Sequence, residues 1–391
     1  MKYLISYILY NSILIFFTVL VKIDFSYAEK VKNKNLIFLD NSVSNDTYIP
    51  SNKEGQIESA FDLALRDLKA MYPSCHITSK KWIERANPLN IYKQSEKIKK
   101  DFDPKQTLII GIIHSSEAML GAKAFDKSDF VALSSGATTE NLNSINNNFF
   151  TIANPVTIFI DEISKFIIYK DVKKVISLVP GNSSYAKEFS DAFSEMAKHK
   201  NIDFKQIMYN PSHVASDLLQ HIELIKNSDL IFTPGFIQQS LAAVSAIEKY
   251  VPNKPVLGTP NWGRSIPDLV NIYKSLNFKN NPLFFPVSWV AGESDRSKKI
   301  ENKFKLSSLM GTAIYSYDAA VIAGYFLCSH KEVNSKEFKK YLEKTDFPQF
   351  TARLYKGYSA GHLLSKVSIV EFNSEYQLKT VKMSEAKKVK K

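Results

Sequence analysis

The chain has 391 residues, 45% hydrophobic and 23% charged, which excludes wholesale disorder, a collagen-like fibre and a polytopic membrane protein, and suits two domains of ordinary size. Its formal charge of +12 reflects 51 Lys and Arg against 39 Asp and Glu. Much of the surplus sits in a C-terminal run, where Lys379, Lys382, Lys387, Lys388, Lys390 and Lys391 face only Glu385; without an arginine-rich helix, an aromatic RNA-binding signature or zinc-finger spacing, nucleic acid is not an expected partner.

The N-terminus opens with Lys2, continues through an apolar stretch over residues 3–21 and reaches Ser26-Tyr27-Ala28. Small residues two apart after such a stretch have the layout of a cleavable signal peptide over residues 1–28. An uncleaved anchor is the rival reading, because the run approaches the length that spans a bilayer. Past residue 34, short apolar runs at 36–39, 108–113, 130–133, 175–179, 204–209, 230–232 and 256–257 read as strands. Between them, Ile57, Phe61, Ala64, Leu65 and Leu68 recur at helical spacing, as do Val214, Leu218, Ile222 and Ile225, and Leu241, Val244 and Ile247. Alternating strands and helices predict an α/β protein with mostly parallel sheets and right-handed crossovers. Two such series are separated near Pro155, and the rhythm changes near Asn281. An extended run at 283–290, a helix at 315–327 and an alternating, antiparallel-type strand at 367–372 follow. The segment 379–391 reads as a basic disordered tail.

Catalytic patterns are weak. Gly357-Tyr358-Ser359-Ala360-Gly361 fits the nucleophile-elbow spelling, but a strand follows it and no downstream acid and histidine complete a triad, so it reads as a turn. The seven histidines show no metal-ligand pair at helical spacing, and no glycine-rich phosphate loop is present. Neither an enzyme nor a cofactor is expected. Cys75 and Cys328 are the only cysteines, which permits at most one bridge.

Two polar clusters follow directly on apolar strands, where open α/β sheets bind ligands. Ser115-Ser116-Glu117 comes after the run at 108–113, and Ser134-Ser135-Gly136-Ala137-Thr138-Thr139 after that at 130–133. Hydroxyls and backbone N–H groups at a helix start can hold a carboxylate, although the same residues also serve as plain helix caps.

With these clusters in place, the chain resembles the leucine-binding-protein-like family, the type I periplasmic solute-binding proteins of ABC transporters. The likeness lies in Gly111-Ile112-Ile113-His114-Ser115-Ser116, in residues 133–139, in the crossover from 149 to 155, in Val175-Ile176-Ser177-Leu178-Val179 with Ser183-Ser184-Tyr185-Ala186, in 229–236, and in Ser316-Tyr317-Asp318-Ala319-Ala320. It spans about residues 34–378 as an order of elements. The resemblance implies two Rossmann-like lobes joined by hinge crossovers, lobe 1 from 34–154 plus 288–346 and lobe 2 from 155–287 plus 347–378. It implies that Ser115, the backbone at Gly136 and Thr138 hold a carboxylate, with Ser116 also among the ligand-binding residues, while Tyr185 and Phe236 close from the second lobe. Trp262 is open to two readings, stacking on a ligand or packing between strands.

Two departures bear on the ligand. Where amino-acid binders of this family carry an acid for the ammonium, this chain reads Gly258-Thr259-Pro260-Asn261-Trp262, so an α-amino acid would need another acid such as Glu117 or Glu293. The family's cysteine before the first ligand serine is His114 here, which deprives Cys75 of its usual partner and leaves its pairing with Cys328 open. The implied function is an exported, periplasmic receptor that captures a small polar solute, amino-acid-like or carboxylate, for an inner-membrane ABC permease. The alternative is a sensor-type or ligand-independent envelope protein of the same fold, such as a peptidoglycan-synthase activator.

Overall fold

A computed structural model describes residues 33–40, 52–83, 89–264, 266–275, 281–289, 292, 294–304, 311–345, 347, 351–373 and 375–383. The expected signal peptide, Glu293 and most of the basic C-terminal run lie outside the described residues. In chain order the strands are β1 (Lys34–Asp40), β2 (Ile77–Ile83), β3 (Thr107–Gly111), β4 (Val131–Ser134), β5 (Phe149–Thr151), β6 (Lys174–Pro180), β7 (Asp203–Tyr209), β8 (Leu230–Phe232), β9 (Val256–Leu257), β10 (Leu283–Val287), β11 (Tyr355–Ser359), β12 (His362–Ser365), β13 (Ser368–Phe372) and β14 (Leu378–Thr380). Six helices carry the argument below: α1 (Asn52–Met71), α2 (Ser115–Ala124), α3 (Val156–Tyr169), α4 (Ser184–His199), α5 (Ile237–Ile247) and α6 (Gly311–Ser329).

The strands form two seven-stranded sheets, ordered β11-β12-β5-β4-β3-β1-β2 and β14-β13-β10-β9-β8-β6-β7. The chain is α/β, as its rhythm predicts. All pairings are parallel except β11 with β12, β10 with β13 and β13 with β14. Strands such as β3 and β4 are buried on both faces, which is why they read as unbroken apolar runs rather than alternations. Helices cover both faces of each sheet. On the first, Phe61, Ala64 and Leu68 of α1 join Ile314, Ile322 and Phe326 of α6 in one cluster, while Ile109, Ala118, Phe125 and Phe149 form another. On the second, Phe159 and Phe166 of α3 pack with Phe189 and Phe193 of α4.

The backbone passes between the sheets three times: after β5 into α3, after β10 toward α6, and between β12 and β13. Two of the passages are tied together. The Asn154 amide donates to the Ser365 carbonyl at 3.1 Å, and Ser365 N–H returns a bond to Asn154 Oδ1 at 2.8 Å. At the third, Ser288 and Tyr315 share a hydroxyl bond of 2.6 Å.

Three expectations are corrected. The hairpin β11–β12, assigned to lobe 2 by sequence, lies in the first sheet, with β12 parallel to β5 at His362 and Thr151. The buried Asp318 of α6 holds it there, accepting from Arg353 Nε at 3.0 Å, Arg353 N–H at 3.2 Å and the Tyr355 hydroxyl at 3.0 Å. The turn has Ala360 at φ 47 and Gly361 at φ 87, both left-handed as a tight hairpin requires, so Ser359 ends a strand rather than topping an elbow. Residues 379 and 380, expected in the free tail, form β14, which pairs with β13 and makes β14, not β13, the sheet edge. Val381 and Met383 then pack on the adjacent apolar cluster. Finally, the strand expected through 113 ends at Gly111.

Cys75 and Cys328 form a disulfide with Cα atoms 5.5 Å apart, closing a separation of 253 residues. It joins the segment after α1 to the last turn of α6. Among the described residues no helix is long and apolar enough to cross a membrane.

Candidate functional site

The end of β3 is bent by its backbone. Gly111 has φ 97, and a Cβ there would stand 2.1 Å from the Leu39 carbonyl oxygen, so only glycine fits. Ile112 follows at φ 50, a conformation that a β-branched side chain adopts only under constraint. The neighbouring strand supplies that constraint: Ser134 Oγ donates to the Ile112 carbonyl at 2.6 Å, and Ser135 N–H to the Gly111 carbonyl at 2.8 Å. The chain thus leaves the sheet abruptly and enters α2 at Ser115.

The loop after β4 is built around hydroxyls. Ser134 Oγ accepts from Gly136 N–H at 3.3 Å and Ala137 N–H at 3.0 Å, and Thr151 Oγ1 donates to the Ala137 carbonyl at 2.9 Å. Gly136 permits close approach, since a Cβ would lie 2.8 Å from the Ile113 carbonyl oxygen. These contacts deliver Thr138 to Ser115. Thr138 N–H donates to Ser115 Oγ at 3.2 Å, and the two hydroxyl oxygens are 3.5 Å apart. The pair lies beside the N-terminus of α2, where the helix dipole favours negative charge.

The second sheet brings aromatics to the same place. The Tyr185 ring, in the first turn of α4, stacks on Phe236, which precedes α5, with centroids 5.3 Å apart and planes at 17°. Phe236 meets the His114 ring edge-on at 6.3 Å, a contact that joins the two halves directly. Burial pushes the Tyr185 phenol up to about 12 against the opposing influence of Arg264, so it stays neutral in ordinary buffers. Arg264, in the turn after β9, crosses between the halves and donates from its guanidinium to the Gly136 carbonyl. It also lies 5.9 Å from the Tyr315 ring.

Of the residues singled out by sequence, Ser115, Gly136 and Thr138 are adjacent, and Tyr185 and Phe236 lie together and reach them through His114 and Arg264. Ser116 is exposed on α2 rather than beside Thr138. Trp262 resolves toward packing: it is fully buried among Leu241, Val256, Leu269 and Phe285, and its ring lies where a Cβ on Gly258 would be, 2.4 Å away. Arg264 is the residue that sequence reasoning missed. Its signal was a lone cation in the otherwise uncharged segment 255–267, at the carboxyl end of a parallel strand.

With this geometry established, comparison with solved structures gives the fold a precedent. A leucine-binding protein from Thermotoga maritima superposes with a TM-score of 0.73 at 12% identity, over 90% of this chain and 98% of its own. A branched-chain amino acid transporter substrate-binding protein from Streptococcus pneumoniae, solved with isoleucine, gives 0.70 at 16% identity, over 90% and 99%. A solute-binding protein of an ABC transporter from R. palustris, solved with 4-hydroxybenzoate, gives 0.69 at 14% identity, over 90% and 96%. The chain therefore has the two-sheet fold of the type I periplasmic binding proteins, in agreement with the resemblance read from its sequence. No family model matches it. No curated protein matches it either.

Proposed function

We propose that this protein is a solute-binding receptor that captures a small polar solute between its two halves and presents the closed form to an ABC permease. The observation that carries the reading is the meeting of Ser115 and Thr138, at the carboxyl ends of β3 and β4, with Tyr185, Phe236 and Arg264 from the other half. Groups from both halves around one place are what a hinged receptor needs, because a solute touching both favours closure by its differential contacts. The solutes named for the superposed structures, leucine or isoleucine in some and 4-hydroxybenzoate in another, are all small carboxylates, which fits two hydroxyls beside a helix N-terminus. We read the role as binding rather than catalysis, since among the described residues no hydrogen bond joins the Ser115 or Ser359 hydroxyl to a histidine or a carboxylate. The Cys75–Cys328 bridge suits an oxidising compartment, consistent with an exported chain.

A second reading has one observation in its favour. Arg264 with Gly136 and Phe236 with His114 already join the halves through protein groups alone, as a ligand-independent envelope protein would require. Thermal denaturation against amino acids, amides, small carboxylates and short peptides separates the two. A true ligand at about a hundred times its Kd stabilises the native state by about 2.7 kcal/mol. A melting temperature unmoved by the whole panel favours the second reading.

A further inference from the structure

The Cys75–Cys328 bridge stands where the ends of two helices meet. α1 and α6 approach closely because Gly324 leaves room for Leu68: a Cβ on Gly324 would lie 2.2 Å from a Leu68 methyl carbon. Cys328 follows one turn later on the same face of α6. On the other side α1 ends at Met71, and Pro73 leads a turn closed by the Cys75 N–H, which donates to the Tyr72 carbonyl at 3.0 Å. That turn brings Cys75 back against the end of α6, and neither cysteine is buried.

Both cysteines line a cavity of about 400 Å³, a size that suits a small molecule. Leu68 forms part of its apolar lining, and three side chains with cationic or protonatable ends stand around it: Arg66, Lys69 and His76. Arg66 and Lys69 are three residues apart on α1 and so share a face; both are exposed, as is His76. The acids in this stretch of α1 are engaged with other cations, Asp62 with Lys81 at 2.9 Å and Asp67 with Arg296 at 3.2 Å. In disulfide exchange the thiolate is the attacking species, and another thiolate leaves. Neighbouring cations draw in the first and stabilise the second.

We propose that the bridge is a thiol–disulfide exchange site for a small anionic thiol, one that carries carboxylates beside its sulfur group and enters this cavity along Arg66 and Lys69. The incoming thiol gives its proton to solvent, and its thiolate attacks one sulfur of the bridge. A mixed disulfide forms, the Cys75–Cys328 bond breaks, and its electron pair leaves on the other cysteine as a thiolate beside the same cations. The incoming sulfur is oxidised and the departing one reduced, so the thiol is the only co-reactant. Exchange releases the cross-link between α1 and α6 and leaves their shared apolar cluster in place. The inference does not rest on the receptor reading, because it uses other residues.

The test treats the folded native chain with glutathione, an anionic thiol, with neutral 2-mercaptoethanol and with cationic cysteamine, and follows mixed disulfides by intact mass and peptide mapping. Each rate is expressed per thiolate and divided by that of the same thiol with bis(2-hydroxyethyl) disulfide, which removes differences in intrinsic nucleophilicity. At low salt the normalised rate for glutathione exceeds the other two by about tenfold or more. The excess collapses in about 1 M salt, where charges are screened beyond about 3 Å. The double variant Arg66→Gln/Lys69→Gln, at two exposed positions, lowers the glutathione rate by a similar factor and the neutral thiol's rate by less. Should it fail to fold by circular dichroism, the ranking of the three thiols and its salt dependence on the native chain decide alone. Equal normalised rates for the three thiols, a glutathione preference unchanged in the folded double variant, or no exchange short of unfolding in urea overturns the inference.

Discussion

Glu188 shows how one carboxyl can register the approach of the two halves. It belongs to α4 of the second half, yet the groups that act on its carboxyl, Thr139 and Glu140, belong to the first. Burial is the main cause that raises its pKa above the ordinary glutamate value, and the nearby Glu140 carboxylate adds to it, while the polar Thr139 side chain and Glu140 backbone work the other way. A raised value in the folded state means that the proton is held more tightly there than in the unfolded chain. The associated stability is fully present below the ordinary glutamate range and is lost as pH rises through the raised value. The melting temperature of the native chain should therefore fall relative to that of Glu188→Gln as pH rises above the ordinary glutamate range. A difference between the two that does not vary with pH would show that Glu188 is solvated as in the unfolded chain. At this scale the hydroxyl pair was legible, because serine and threonine directly after apolar strands have positional meaning in an α/β chain. Tyr185 and Phe236 were reachable only through the family resemblance. Arg264 was not read, since a single cation in a loop has no spacing to announce it, and Trp262 looked equally fit for a core or a pocket until its packing on Gly258 was seen.

Elements were legible where burial wrote their pattern. Strands β1, β3, β4, β6 and β8 are buried and apolar, and all were readable as short runs. β2, with the sequence ITSKKWI and mostly exposed or half-buried positions, has an edge strand's polar mixture and was not. The hairpin β11–β12 was misassigned because its place depends on the tertiary contact of Arg353 with Asp318, a pairing 35 residues apart that no local period encodes. The disulfide acts at the same scale. It links the segment after α1 to the end of α6, two helices that share one apolar cluster over the first sheet. Removing a bridge that closes so long a loop should cost about 5.5 kcal/mol by the chain-entropy estimate, with native-state strain reducing that figure. Urea denaturation of Cys75→Ser, and of the native chain with and without reductant, measures it. Equal midpoints for all would mean that α1 and α6 are held by packing alone.

The whole molecule is two sheets, three backbone passages between them and one meeting place of side chains from both. The passages are tied by Asn154 with Ser365 and by Ser288 with Tyr315, and a hinge between the halves would act through them. That the chain would divide into two α/β halves followed from the two series of alternating strands and helices. Where the division falls at the C-terminal end did not, because β12 and β13 are two residues apart in sequence and lie in different sheets. The proposed receptor function depends on Ser115 and Thr138 forming one solute-holding pair at the junction of those sheets. The direct measurement is calorimetric titration of the compound giving the largest thermal shift into the native chain and into the Ser115→Ala/Thr138→Ala double variant, both confirmed as folded. Loss of two charge-assisted hydroxyl contacts predicts affinity lower by about a hundredfold or more. Affinity unchanged within error would contradict the account by placing the bound solute elsewhere.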